Sequence, residues 1–269
     1  MLRETQVRSI LNRSGVPGID YTINPYVGCQ HACLYCYAVF MSRFSGHHEP
    51  WGSFVDAKIN APEVLARQLR RTQPGCVSLS TVTDPYQPIE ARYRLTRRLL
   101  EQFVGTDFQV SVLTKSSLVV RDLDVLQHIS RVEVGFSLTT LDPAIARQFE
   151  PGASSPTQRL KAMRDLSEAG IATWLFIAPA LPYFADTDQT LGALFIAAKR
   201  AGARSVLVDG FQFYPKPWSR VRALLESKFA KLVPLYEEVR RNPAPFRLSL
   251  RQRVETLASV HGLPARCAF

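Results

Sequence analysis

Short apolar runs alternate with amphipathic stretches along most of this chain, and that alternation limits the fold more than any other property of the sequence. Residues 75–80, 109–114, 132–138, 171–178 and 205–208 have the length and the β-branched or aromatic content of buried strands. Between them lie the helical patterns 61–71, 96–104, 119–129, 157–169 and 187–201, the last two closed by Gly170 and Gly202. Residues 19–27 add an earlier strand, making six. Short loops between βα units demand right-handed crossovers and a mostly parallel sheet. Six units are fewer than the eight of a closed barrel, so the expected fold is α/β, an open (βα)6 partial TIM barrel over residues 21–213. Residues 1–20 read as a polar lead-in, and 214–269 as a basic helical C-terminal extension packed on the barrel. Within that extension, residues 221–241 read as one helix kinked at Pro234.

The first strand runs into Gly28-Cys29-Gln30-His31-Ala32-Cys33-Leu34-Tyr35-Cys36-Tyr37, which holds three of the five cysteines. Thiolates at Cys29, Cys33 and Cys36, gathered by one tight loop, can hold three corners of an iron–sulfur cluster, because soft sulfur suits iron. The loop has no fourth cysteine. A four-iron cube held this way keeps one iron open to a small ligand. A structural zinc site is the alternative, with His31, Cys76, Cys267 or another histidine as the fourth ligand that a closed tetrahedron needs. Inert buried thiols fit poorly beside Gly28 and a run of aromatics. The loop also follows a strand, where α/β barrels carry their ligand sites.

With 269 residues and 46% hydrophobic content, the chain can bury one large core. It lacks any run near the roughly 18 apolar residues of a membrane span, and Arg3, Glu4, Arg8, Arg13 and Asp20 leave no room for a signal sequence. A cytoplasmic monomer without membrane contact is expected, and an odd cysteine count suits a reducing compartment. The net charge of +10 points to a polyanionic partner, DNA or RNA, or else to a solvated basic face. Between Lys216 and Glu255 stand ten basic and four acidic residues. Polar residues gather at the strand ends: Thr83-Asp84, Lys115-Ser116, Ser137 to Thr139, and Asp209. Lys115 needs an anionic partner if the barrel buries it, and none if it is a surface loop lysine. His47-His48 reads as a solvent or substrate-edge loop.

The C-x3-C-x2-C loop with Tyr35 before its last cysteine resembles the radical S-adenosylmethionine (radical SAM) superfamily. Residues 83–90 (Thr-Asp-Pro-Tyr-Gln-Pro-Ile-Glu), Leu113-Thr114-Lys115-Ser116, Ser137-Leu138-Thr139 and Glu150-Pro151-Gly152 resemble its branch related to spore photoproduct lyase, called DNA repair photolyase-like, over about residues 21–209. The resemblance implies a [4Fe–4S] cluster on Cys29, Cys33 and Cys36, with SAM on the open iron. It also implies SAM contacts at Tyr37, Thr83, Lys115 and Ser137, and an electron donor of the flavodoxin or ferredoxin type. One electron then cleaves SAM to methionine and a 5′-deoxyadenosyl radical. Two departures matter. The Gly-Gly-Glu stretch is absent, with Thr83-Asp84 in its place, and Thr81 stands where the lyase has its hydrogen-donating cysteine. The expected function is a radical SAM enzyme with a substrate of its own, DNA or RNA being the candidate, and no catalytic residue is assigned. The other reading is a nucleic-acid-binding protein with a structural metal or cluster.

Overall fold

The computed structural model describes residues 1–269. Its main sheet has eight strands in the order β11-β10-β9-β8-β7-β6-β3-β2. In chain order these are β2 (Asn12–Arg13), β3 (Tyr21–Ile23), β6 (Cys76–Leu79), β7 (Gln109–Thr114), β8 (Val132–Ser137), β9 (Ala172–Ala180), β10 (Val206–Gly210) and β11 (Ala265–Cys267). All neighbours pair parallel except β2 with β3, and the edges β2 and β11 do not meet, so the barrel stays open. A small sheet, β1 (Leu2–Thr5), β5 (Val55–Lys58) and β4 (Tyr26–Val27), lies beside it.

Strand alternation decides which side chains reach the barrel interior. Val110, Val112, Val134, Phe136, Leu175, Ile177, Val206 and Val208 bury against the surrounding helices in one core. Their neighbours Ser111, Glu133 and Trp174 therefore face the other way. The helices Ala61–Leu69, Pro156–Glu168 and Asp188–Arg200 form where the sequence pattern places them. Ser155 and Gln158 cap the second of these reciprocally, which satisfies two of its orphan N–H groups.

Four expectations are corrected. Residues 19–27 are not one strand: Pro25 lacks an N–H, and Asn24 Oδ1 accepts from Thr81 N at 3.0 Å and Val82 N at 3.1 Å, so the chain turns from one sheet into the other. Residues 119–129 are a 3-10 turn (Ser117–Asp122) followed by one α-turn (Leu123–Leu126). Residues 221–241 are two helices, Pro215–Lys228 and Val233–Arg241, with Pro234 in the first turn of the second, where a missing N–H is harmless. His47 lies in the interior, between Asp56 (2.9 Å from Nε2) and Glu49 (3.1 Å from Nδ1), and stacks on Phe54. The C-terminal segment also contributes more than helices. After Pro243–His261 the chain returns as β11 and pairs with β10. No helix is long and apolar enough to cross a membrane.

Candidate functional site

The cysteine loop leaves β4 through Gly28, whose φ of +84° favours glycine; a Cβ there would stand 2.3 Å from Phe54 O. Short turns then fold the loop back on itself, Ala32 N donating to Cys29 O at 3.2 Å and Cys36 N to Cys33 O at 3.3 Å. Cys29 and Cys33 are buried and Cys36 is half-buried, all three as free thiols. Burial raises the pKa of each, that of Cys33 to about 12, because nothing in the bare protein compensates a thiolate fully.

Neighbouring segments hold the loop on several sides. Gln87 Oε1 accepts from Gln30 N at 2.9 Å while Gln30 Oε1 accepts from Ile89 N at 2.7 Å, a reciprocal clasp between the loop and residues 83–90. Thr83 Oγ1 donates to Gly28 O at 2.6 Å. Gly152 N donates to His31 O at 3.1 Å, and a Cβ on Gly152 would lie 2.1 Å from Gln30 O. From the C-terminal helices, Arg220 donates to Cys33 O and Ala32 O, both at 3.2 Å. The buried Trp51 indole N–H has no hydrogen-bond partner and packs beside Cys36.

Two buried acids organise the floor. Glu150 accepts from Tyr35, Arg159 and Thr139, and Arg159 also donates to Ser137 O at 2.8 Å and Ser154 O at 2.7 Å. Burial alone would raise the Glu150 pKa, but the charges of Arg159 and Lys115 hold it below its ordinary value. Asp84 accepts from Thr114 Oγ1, Lys115 N and Tyr86 N. Burial opposes its charge as well, yet His31 at 3.3 Å and these hydrogen bonds bring its pKa down to about 2. His31 Nδ1 approaches Asp84 off hydrogen-bond geometry and so stays unpartnered.

Of the residues expected to contact a ligand, Lys115 is half-buried over the Tyr35 ring, 5.7 Å from its centroid, and its ammonium has no acceptor or ion-pair partner within the chain. The charges of Cys33 and Glu150 raise its pKa although burial lowers it. Ser137 is buried at the end of β8, its hydroxyl unbonded. Thr83 is committed to the loop through Gly28 O, and Tyr37, half exposed, donates to Thr81 O. The fold thus brings Lys115 and Ser137 to the loop with free polar atoms, while Thr83 and Tyr37 spend their hydroxyls on backbone. Sequence reading missed Arg220, Arg159, Trp51 and the clasping glutamines. Only Glu150, Gln87 and Gln30 stood within stretches already singled out.

The family model of the radical SAM superfamily matches residues 23–188. The chain belongs to the radical SAM superfamily. Radical SAM enzymes generally use a [4Fe–4S] cluster, SAM and a reductant, and this chain is an enzyme of that kind. It is 36% identical to an uncharacterized protein of Methanocaldococcus jannaschii over 68% of each chain. It is 26% identical to the spore photoproduct lyase of a Geobacillus over 64% of this chain and 49% of the lyase. Among solved structures it superposes on spore photoproduct lyase complexed with dinucleoside spore photoproduct at a TM-score of 0.71 and 18% identity, covering 100% of this chain and 82% of the other. That likeness confirms the open, mostly parallel α/β fold.

Proposed function

We propose that Cys29, Cys33 and Cys36 ligate a [4Fe–4S] cluster whose open iron takes SAM, and that the resulting radical acts on nucleic acid. The observation that carries the reading is the unpaired Lys115 ammonium beside three soft, partly buried donors on one clamped loop. The donor set fits the group. No three His, Cys, Asp or Glu side chains lie close enough to share one metal ion, whereas a cube offers each thiolate its own iron. Free polar atoms near the loop, the Ser80 and Ser137 hydroxyls and the Lys115 ammonium, suit a ligand that is polar and anionic in part. The chemistry that a bound cluster and SAM supply is reductive cleavage to methionine and a 5′-deoxyadenosyl radical.

The chain's own contributions follow from position. Lys115 pairs with the SAM carboxylate, and Ser137 offers a hydroxyl close by. Trp51, its N–H free, lies beside Cys36 and could donate to the thiolate there, and Arg220 places a positive charge near Cys33 and Cys36, both of which favour the more reduced cluster. Asp84 and Glu150 fix the backbone of Lys115 and the ring of Tyr35, so the ammonium is aimed before ligand arrives. Nucleic acid as substrate is supported by the net charge of +10 and by the relationship to spore photoproduct lyase. Among the C-terminal cations, Arg253 is tied to Asp188 and Arg251 to Phe269 O, whereas Lys216, Lys228 and Lys231 have no internal acceptor. Duplex binding through n phosphate contacts should weaken with salt at a log–log slope of about −0.9n. Iron and sulfide content decides the metal. About four of each per chain, lost in Cys33→Ala, supports the cluster, and iron retained in that variant refutes it.

A further inference from the structure

The cysteine loop is walled on most sides. Residues 87–89 clasp Gln30, Gly152 takes His31 O, Leu34 N donates to Phe149 O, Arg220 covers Ala32 and Cys33, and Trp51 and Phe54 pack on Cys29 and Cys36. The barrel mouth beside Lys115 and Ser137 is reserved for SAM and substrate in the function proposed above. The chain that continues from Cys36 is different. It forms a 3-10 turn, Tyr37–Met41, and one α-turn, Ser42–Ser45. Ala38, Val39 and Met41 turn inward onto Trp51 and Phe54. Phe40 and Phe44 turn outward, 40% and 76% exposed, their rings 6.3 Å apart edge to face. Exposed Arg43 has no partner within the chain, and half-exposed Arg3 donates to Ser45 O at 3.2 Å beside it.

We propose that Phe40, Arg43 and Phe44 form the docking face for the reductant, a small acidic one-electron carrier protein. The inference rests on the cluster assigned to Cys29, Cys33 and Cys36. Its occupant is argued from charge and position together. Arg43 is the unpaired charge of the face, Arg3 beside it being tied to Asp56, and on a protein of net charge +10 an acidic partner is attracted and steered to it. Phe40 lies four residues beyond Cys36, on the turn that continues directly from the cysteine loop, so the face adjoins the loop that would hold the cluster. Two aromatics and an arginine are the composition of a protein contact, and a patch this small suits the brief encounters of redox partners, which bury less than about 1,200 Å². A nucleic acid needs a longer row of cations, and those lie on the C-terminal helices instead. The step itself is one electron leaving the reduced carrier and entering the oxidised cluster, with no bond made or broken.

The test uses the reconstituted enzyme and an acidic flavodoxin. Flavodoxin affinity is followed by flavin fluorescence, and 5′-deoxyadenosine is measured with flavodoxin and, separately, with dithionite as reductant. Arg43→Glu and Phe44→Asp should each weaken flavodoxin affinity about tenfold or more at low salt. They should slow flavodoxin-driven turnover while dithionite-driven turnover is unchanged. Equal affinity in wild type and both variants overturns the proposal, as does a wild type that binds neither flavodoxin nor a ferredoxin. Variants that lose single-stranded oligonucleotide binding but keep flavodoxin assign the face to nucleic acid and overturn it too. Failure of dithionite-driven turnover in wild type is a failure of the cluster reading, and the affinity comparison still decides the face.

Discussion

Arg220 and Cys33 stand 187 positions apart, and the guanidinium Nη1 donates to the Cys33 carbonyl at 3.2 Å. The helix Pro215–Lys228 thereby reaches from the C-terminal segment to the cysteine loop, placing a cation beside its thiols. Arg220→Met keeps much of the packing and removes the charge. The loaded variant should show a reduction potential lower by tens of millivolts, about one tenfold step in a one-electron equilibrium. Spectroelectrochemical titration measures it, and an unchanged potential would show that the guanidinium acts on the backbone alone.

Lys115→Ala should weaken SAM binding roughly ten- to a hundredfold, since a charge-assisted contact to a carboxylate contributes about 1.5–3 kcal/mol. Iron content should not change, because the Lys115 side chain has no hydrogen bond to the loop. Calorimetry on the loaded protein decides; equal affinity would turn the ammonium to solvent.

Asp84 supplies a pH signature. Its folded pKa of about 2 lies below the ordinary carboxylate value. The charged form therefore stabilises the fold fully above a pH of about 4, and that contribution fades as pH falls through about 2. Asp84→Asn should cost about 2 kcal/mol near neutrality, with the difference from wild type shrinking below a pH of about 4. Urea unfolding of both unloaded proteins across that range is the check. A difference independent of pH would assign the effect to packing.

How much of this was legible in the sequence depended on range. The βα alternation showed because each strand and helix carries its own periodicity over several residues, as β7 and Pro156–Glu168 do. The cysteine loop showed because its ligands are local. β2 and β11, of two and three residues, carry too little pattern to read. Ile10 and Leu11, in the polar lead-in, proved to be core residues. Arg220 and Arg159 looked like any surface arginine, since their partners lie in other segments. His47 was misread for the same reason: Asp56, which draws it inside, sits nine positions away on β5.

On the proposed function, the hydrogen-atom source would separate this enzyme from spore photoproduct lyase. Thr81 has an O–H bond too strong to give up a hydrogen atom readily, and its hydroxyl lies 3.4 Å from Asn24 Nδ2. Cys267, on β11, pairs in register with Val208 on β10 and packs against the main core. Incubating reduced enzyme and SAM with dinucleoside spore photoproduct should release no appreciable thymine dinucleoside. Rapid repair would contradict this, and its loss in Cys267→Ala would identify the donor.

The central claim is that three thiols on one loop support reductive cleavage of SAM. Anaerobic reconstitution with iron and sulfide, addition of dithionite and SAM, and quantification of 5′-deoxyadenosine test it most directly. Wild type should form 5′-deoxyadenosine and Cys33→Ala should form none; no product from a wild type that carries its full iron, or equal product from both, would contradict the account.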